Sequence, residues 1–337
     1  NLSKDQKLGG ATAAGGDDDV AGSAELCEVA ASASRVVAIL ETCQEQPAIL
    51  DASLEAMITP IMHGFRDVVR LYQMVNVSKG EGLVAKPGTY SPLGGRFTTT
   101  RLVRLSRLLY TLCKVRGHKK VVRLFPHEVS DLEPVFHLLQ AQDTDDHETW
   151  HVRYCLLLWL SIIVIVPFDL QTIDSSTAGP SLVDRLISVC KMYLRDSGPI
   201  RNAAALCLSK LLTRPDMEAR HLSEYLVWAN SVVTASVPSS SAAVAAQGVV
   251  ETAAPGAAAV LVASTRKSNE TVGIHQDIFV STGALETLVL IFKHGHRQQM
   301  EGRIPAVAEC MSLAAQATTM GKASTNQRKL TMKLSQR

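Results

Sequence analysis

Apolar residues recur along this chain at three- and four-residue spacing, and that period predicts helices over most of its length. Val36, Val37, Ile39 and Leu40 form one stripe; Leu54, Met57, Ile58, Ile61 and Met62 form the next, after a turn around Pro47 and Asp51. From Thr98 to about Val115 the pattern predicts a strongly amphipathic helix, its seam made of Leu102, Leu105, Leu108, Leu109 and Leu112. Pro126 and Pro134 bracket a short segment ahead of FHLLQ, and the acidic loop DTDDHE introduces RYCLLLWLSIIVIVPFDL at 153–170. The next pair, SLVDRLISVCKMYL and GPIRNAAALCLSKLL, is joined by Arg195-Asp196-Ser197-Gly198. Pro199 suits the first turn of a helix. Regular helix resumes at Ser281, in STGALETLVLIFKHG. Strand signals are scarce throughout.

The stretch at 153–170 carries no charge between Cys155 and Val166 and one hydroxyl, Ser161. Crossing a bilayer takes about 20 apolar residues. This run is bounded by Arg153 on one side and by Pro167 and Asp169 on the other, so it reads as a buried helix. A helix that is apolar on every side needs neighbours on every side. Trp159 then belongs to the core, against the alternative of an exposed binding hot spot.

Two segments share a frame of the form VRxxAxxAL. Ile200-Arg201, Ala204, Cys207 and Leu208 fill it with small residues, and Val152-Arg153, Leu156, Trp159 and Leu160 with larger ones, 48 positions earlier. Val103-Arg104 lies a further 49 residues upstream, with Arg107 in the small-residue slot. Such a frame and spacing resemble the second helix of HEAT repeats, which recur every ~40 to 47 residues. The expected fold is therefore all-α, a HEAT/armadillo-like α-solenoid of stacked helix pairs; the alternative is an irregular all-α domain. Composition divides the chain. Residues 1–24 are Gly, Ala, Asp and Ser-rich and are expected to be disordered; 25–230 form a helical-repeat array with a loop insertion at 79–95; 231–273 are a low-complexity Ala/Ser/Val insertion; 274–337 continue the repeats. The chain begins at Asn1 and ends within the helical pattern of KLTMKLSQR, which leads to the expectation of an N-terminal fragment truncated at its C-terminus.

At 337 residues and 46% hydrophobic, the chain is long enough for two or three ordinary domains or one elongated array. Its 34 basic and 32 acidic residues nearly cancel, so no overall field points to nucleic acid or an anionic membrane. Seven scattered cysteines without a CxxC pattern favour reduced thiols and a cytoplasmic protein.

Phosphate-loop, dinucleotide, zincin and nucleophile-elbow motifs are all missing from the sequence, and no catalytic residue, cofactor or metal site is expected. His294-Gly295-His296 reads as an ordinary helix C-terminus, and Asp143, Asp145, Asp146, His147 and Glu148 as residues that cap the helix after them. One polar feature stands out. Arg101, Arg104 and Arg107 recur every three residues opposite the leucine seam, and Lys114, Arg116, Lys119, Lys120 and Arg123 extend the charge, with no acidic residue between Thr98 and His127. The stripe is either a solvated helix face or a landing surface for an acidic protein partner; RNA fits less well, because few aromatics interleave.

KVRGHKKVVRLFPHEVSDLEPVFHLL, followed by YCLLLWLSIIVIVPFDL, resembles the tubulin-folding cofactor D (tubulin-specific chaperone D) family. CQEQPAILDASLEAMI, RNAAALCLSKLLTRPDM and GALETLVLIFKHGHRQQM resemble the same family in the same order. Residues 79–95 and 231–273 look like insertions relative to it. The resemblance implies a non-catalytic helical-repeat chaperone of the cytoplasm and microtubule cytoskeleton that captures β-tubulin. Its implied partners are tubulin-folding cofactors E and C and an ADP-ribosylation-factor-like small GTPase, with stimulation of GTP hydrolysis by tubulin. Neither a nucleic-acid partner nor a membrane span is implied. A generic HEAT or armadillo adaptor for trafficking or nuclear transport is the alternative.

Overall fold

Helix pairs stack in sequence order through the computed structural model, which describes residues 16–78, 96–175, 179–235, 278–319 and 323–337. The longer helices are α1 (Gly16–Thr42), α2 (Leu54–Ser78), α3 (Arg96–Leu112), α4 (Leu132–Gln140), α5 (Trp150–Ile163), α6 (Leu182–Tyr193), α7 (Pro199–Leu212), α8 (Ser223–Ala235), α9 (278–294), α10 (Ile304–Thr319) and α11 (Thr325–Ser335). Short helical turns join several of them, and no strand occurs among the described residues. The helical-repeat expectation holds.

The helices form two rows. In the odd-numbered row α1 packs on α3, α3 on α5 and α5 on α7. Arg201 and Glu286 then link α7 to α9 at 3.4 Å, and Gln327 donates to Ser281 at 2.7 Å to link α9 to α11. In the even-numbered row α2 packs on α4 and α8 on α10. Between those pairs Arg185 lies 5.6 Å over the Phe136 ring, and Lys191 of α6 lies 4.7 Å over Trp228 of α8.

The row position of α5 explains why it is apolar on every side. It meets α7 most extensively, then α3, then its pair-mate α4, so no face is left for water. Trp159 is 0% exposed, its indole N–H donates to the Pro126 carbonyl at 2.7 Å, and its ring meets Phe65 edge-on at 5.9 Å. It is a core residue. On α7 the buried residues include Ala203, Ala204, Ala205 and Cys207, and such small residues let neighbouring helix axes approach closely. Gly283 does the same for α9: a Cβ there would lie 2.6 Å from the Leu194 carbonyl oxygen at the end of α6.

The arginine of the repeated frame has a structural task. Arg153 is 1% exposed and donates to the carbonyl oxygens of Asp143 and Asp146, the latter at 2.7 Å. Arg201, 8% exposed, donates to the Asp196 carbonyl at 3.1 Å. In both pairs, a guanidinium from the second helix holds the loop that leads into it.

Three boundaries differ from those read in the sequence. Helix α1 begins at Gly16, inside the segment 1–24 expected to be disordered, and the Ala-rich sequence of the helix has high helix propensity. Helix α8 runs on to Ala235, five residues into the segment that begins at 231, because Val232 and Val233 continue its apolar period. Helix is already present at 278, ahead of Ser281. The insertion at 79–95, and residues 236–273 of the other, lie outside the described residues.

Candidate interaction surface

The eight basic residues of the stripe do not form one surface. Arg101 and Arg107 are exposed on α3 and Arg104 is half-buried. The Arg101 guanidinium overlies α2, where a Cβ on Gly64 would lie 3.3 Å from its Nη2. Arg107 stands beside His151, whose pKa falls to about 4, mainly through burial and then through that positive charge.

Beyond α3 the backbone widens into a π turn, Cys113–Gly117, and Gly117 takes φ 92, a left-handed conformation that favours glycine. Three of the cations in and after this turn pair with acids. Lys114 pairs with Glu41 of α1 at 2.8 Å, while Arg116 and Lys120 (2.9 Å) share the Asp51 carboxylate in the turn between α1 and α2. Hydrogen bonds from Arg116 and then Lys120 hold Asp51 well below the usual carboxylate range. These pairs fasten the turn after α3 to the first helix pair. Arg123 is exposed, and Lys119 is directed elsewhere, to the end of α9.

At that end lies a group of cations that was not read from the sequence. His118 and Lys119 lie near enough to Lys210 of α7 and to Lys293 and His294 of α9, with Lys333 and Arg337, for their charges to act on one another. Its one sequence signal is a lysine near the C-terminus of each of α7, α9 and α11, which is invisible until the row is known. Ser209 Oγ already donates to the Leu206 carbonyl at 2.9 Å, so its contact with His294 Nδ1 at 3.3 Å makes the imidazole the donor and ties α7 to α9.

The other candidates have local roles. Asp143 accepts from the Asp145 N–H at 2.9 Å and Asp146 from the Glu148 N–H at 2.8 Å, so this acidic loop shapes itself ahead of α5. Among the described residues no group of three His, Cys, Asp or Glu is placed to hold a metal ion. No helix of the described residues is long and apolar enough to cross a membrane.

Residues 40–233, from the end of α1 through most of α8, match the family described as tubulin-specific chaperone D-like, ARM repeat. Tubulin-folding cofactor D of Schizosaccharomyces pombe is 29% identical over 53% of this chain, and tubulin-specific chaperone D of Dictyostelium discoideum is 24% identical over 61% of it. The matches span only 13% and 19% of those two proteins. No solved structure matches the chain. The match covers more than half of the chain, α2 through most of α8 among its helices, and the chain belongs to the tubulin-specific chaperone D-like ARM-repeat family.

Proposed function

We propose that this chain is an arm of a tubulin-folding cofactor, a stacked-helix scaffold that binds β-tubulin and acts with cofactors E and C and an ADP-ribosylation-factor-like GTPase. In this reading it assists assembly of the α/β heterodimer and stimulation of GTP hydrolysis by tubulin, in the cytoplasm and at microtubules. The observation that carries it is the family match at 40–233, which takes in the helices from α2 through most of α8, together with two relatives named for tubulin folding. The nucleotide chemistry then belongs to tubulin, and the arm supplies surface. Solenoids present such extended surfaces because each pair touches only its neighbours and the whole side of the row stays open.

Immunoprecipitation of the full-length protein from cytosol, with identification of what co-purifies, tests this. Tubulin and other tubulin-folding cofactors are the expected partners. Recovery of trafficking or nuclear-transport cargo without any of them overturns the proposal.

A further inference from the structure

We propose that the C-terminal ends of the odd-row helices form a docking site for an acidic, carboxylate-rich polypeptide segment, gripped by Lys119, Lys210 and Lys293 with Lys333 at its edge. These residues come from three helices and one turn that are far apart in sequence. Lys210 lies in the last turn of α7, Lys293 next to the end of α9, and Lys333 in the last turn of α11. The contact of Ser209 with His294 at 3.3 Å ties the ends of α7 and α9 together beside Lys210 and Lys293, and Lys119, two residues after Gly117, lies close enough to Lys293 to lower its pKa.

A lysine in a last turn complements the helix dipole, which accounts for each residue singly. The dipole does not require that they converge. Like charges brought together repel, and Lys114 and Lys120 show the usual remedy, a carboxylate on each. Lys119, Lys210, Lys293 and Lys333 make no ion pair among the described residues, and Glu286, which lies near Lys333, is engaged by Arg201. Burial and neighbouring positive charge hold His118, Lys293 and His294 below their ordinary pKa values, and burial does the same for Lys210. An arrangement that costs stability in the free protein is relieved by a ligand's negative charge.

The chemistry of the grip selects the ligand. Lysines are mobile point charges without the planar fork that suits a single phosphate, and four of them spread over three helix ends and one turn match carboxylates spaced along a chain. Single-stranded nucleic acid requires aromatic faces for its bases. Phe292, beside Lys293, is instead packed against the core.

The test uses a synthetic peptide of ten glutamates, so its outcome is separate from whether tubulin is the partner. The full chain is expected to bind it at low salt, and the K119Q/K210Q/K293Q variant at least fivefold more weakly, with a Tm equal to or above that of the parent because repulsion is relieved. Lys210 is half-buried; should the triple variant fail to fold, K119Q/K293Q, at two exposed positions, is expected to lose at least threefold. Smaller losses overturn the proposal. So does a lowered Tm in K119Q/K293Q, which would make the lysines simple helix caps, and so does equal affinity for an oligonucleotide of matching charge or for inorganic phosphate.

Discussion

Replacing Arg153 by Met keeps the length and apolar stem of the side chain and removes its guanidinium. Two carbonyl oxygens, of Asp143 and Asp146, then lose a charged donor at a position that is 1% exposed. Hydrogen bonds from a charged group contribute about 1.5–3 kcal/mol each, so their loss costs about 3–6 kcal/mol. Relief from burying the cation offsets part of this. The offset is substantial here, because Arg153 Nε makes no hydrogen bond and the ion is incompletely satisfied. The net expectation is therefore about 3 kcal/mol of destabilisation. At roughly 2–4 °C per kcal/mol for a chain of this class, Tm falls by about 6–12 °C. Circular dichroism at 222 nm during heating measures it, and hydrogen exchange should show the loop 143–149 opening first. Arg201→Met is expected to cost less, because its contacts of 3.1 and 3.4 Å are longer. If Arg153→Met stays within about 1 kcal/mol of the parent, the frame arginine does not clamp the loop and its role in the pair is misassigned.

Gly283→Ala should lower Tm although alanine favours helix by about 1 kcal/mol, since overpacking against a backbone oxygen costs about 1–3 kcal/mol; an unchanged or raised Tm would contradict the close approach of α9 to Leu194. Trp159→Phe leaves the Pro126 carbonyl unpaired and should cost about 1–3 kcal/mol in urea denaturation, with no effect on tubulin binding by folded protein. Acid should destabilise the chain as pH falls through the range in which free histidine titrates. The His151 pKa is lowered to about 4, mainly by burial, and burial also lowers that of His137, while unfolded histidine titrates near 6.5. Below that value the unfolded state takes up protons that the folded state refuses, so stability falls with pH, by about 2 kcal/mol from His151 between pH 6.5 and 5. His151→Gln should flatten that slope in chemical denaturation; an identical slope would refute the assignment.

Most of the fold was legible because a helix writes its burial into the sequence at a fixed period. The all-round apolarity of 153–170 and the Arg153/Arg201 frame pointed to an inner row before any contact was known. What stayed hidden depends on long-range partners. The stripe from Arg101 to Arg123 looked uniformly cationic because Glu41 and Asp51, which neutralise Lys114, Arg116 and Lys120, lie well upstream, and no local window contains both. Lys210 and Lys293 looked like unrelated helix ends for the same reason. The start of α1 was missed because Gly and Asp dominate its first residues by composition, whereas the Ala-rich sequence of the helix has high helix propensity.

The most direct test of the account is the rate at which tubulin associates with the full-length protein and with its R101E/R104E/R107E variant, over a range of ionic strength. Tubulin is an acidic protein, and attraction between opposite patches acts mainly on encounter. Salt screens it over about 10 Å at 0.1 M. The variant, with helicity intact, is predicted to associate more slowly at low salt, with the deficit shrinking as salt rises. Wild-type rates at every ionic strength would contradict the reading of this stripe as a landing surface for an acidic partner, and would leave α3 with a solvated face.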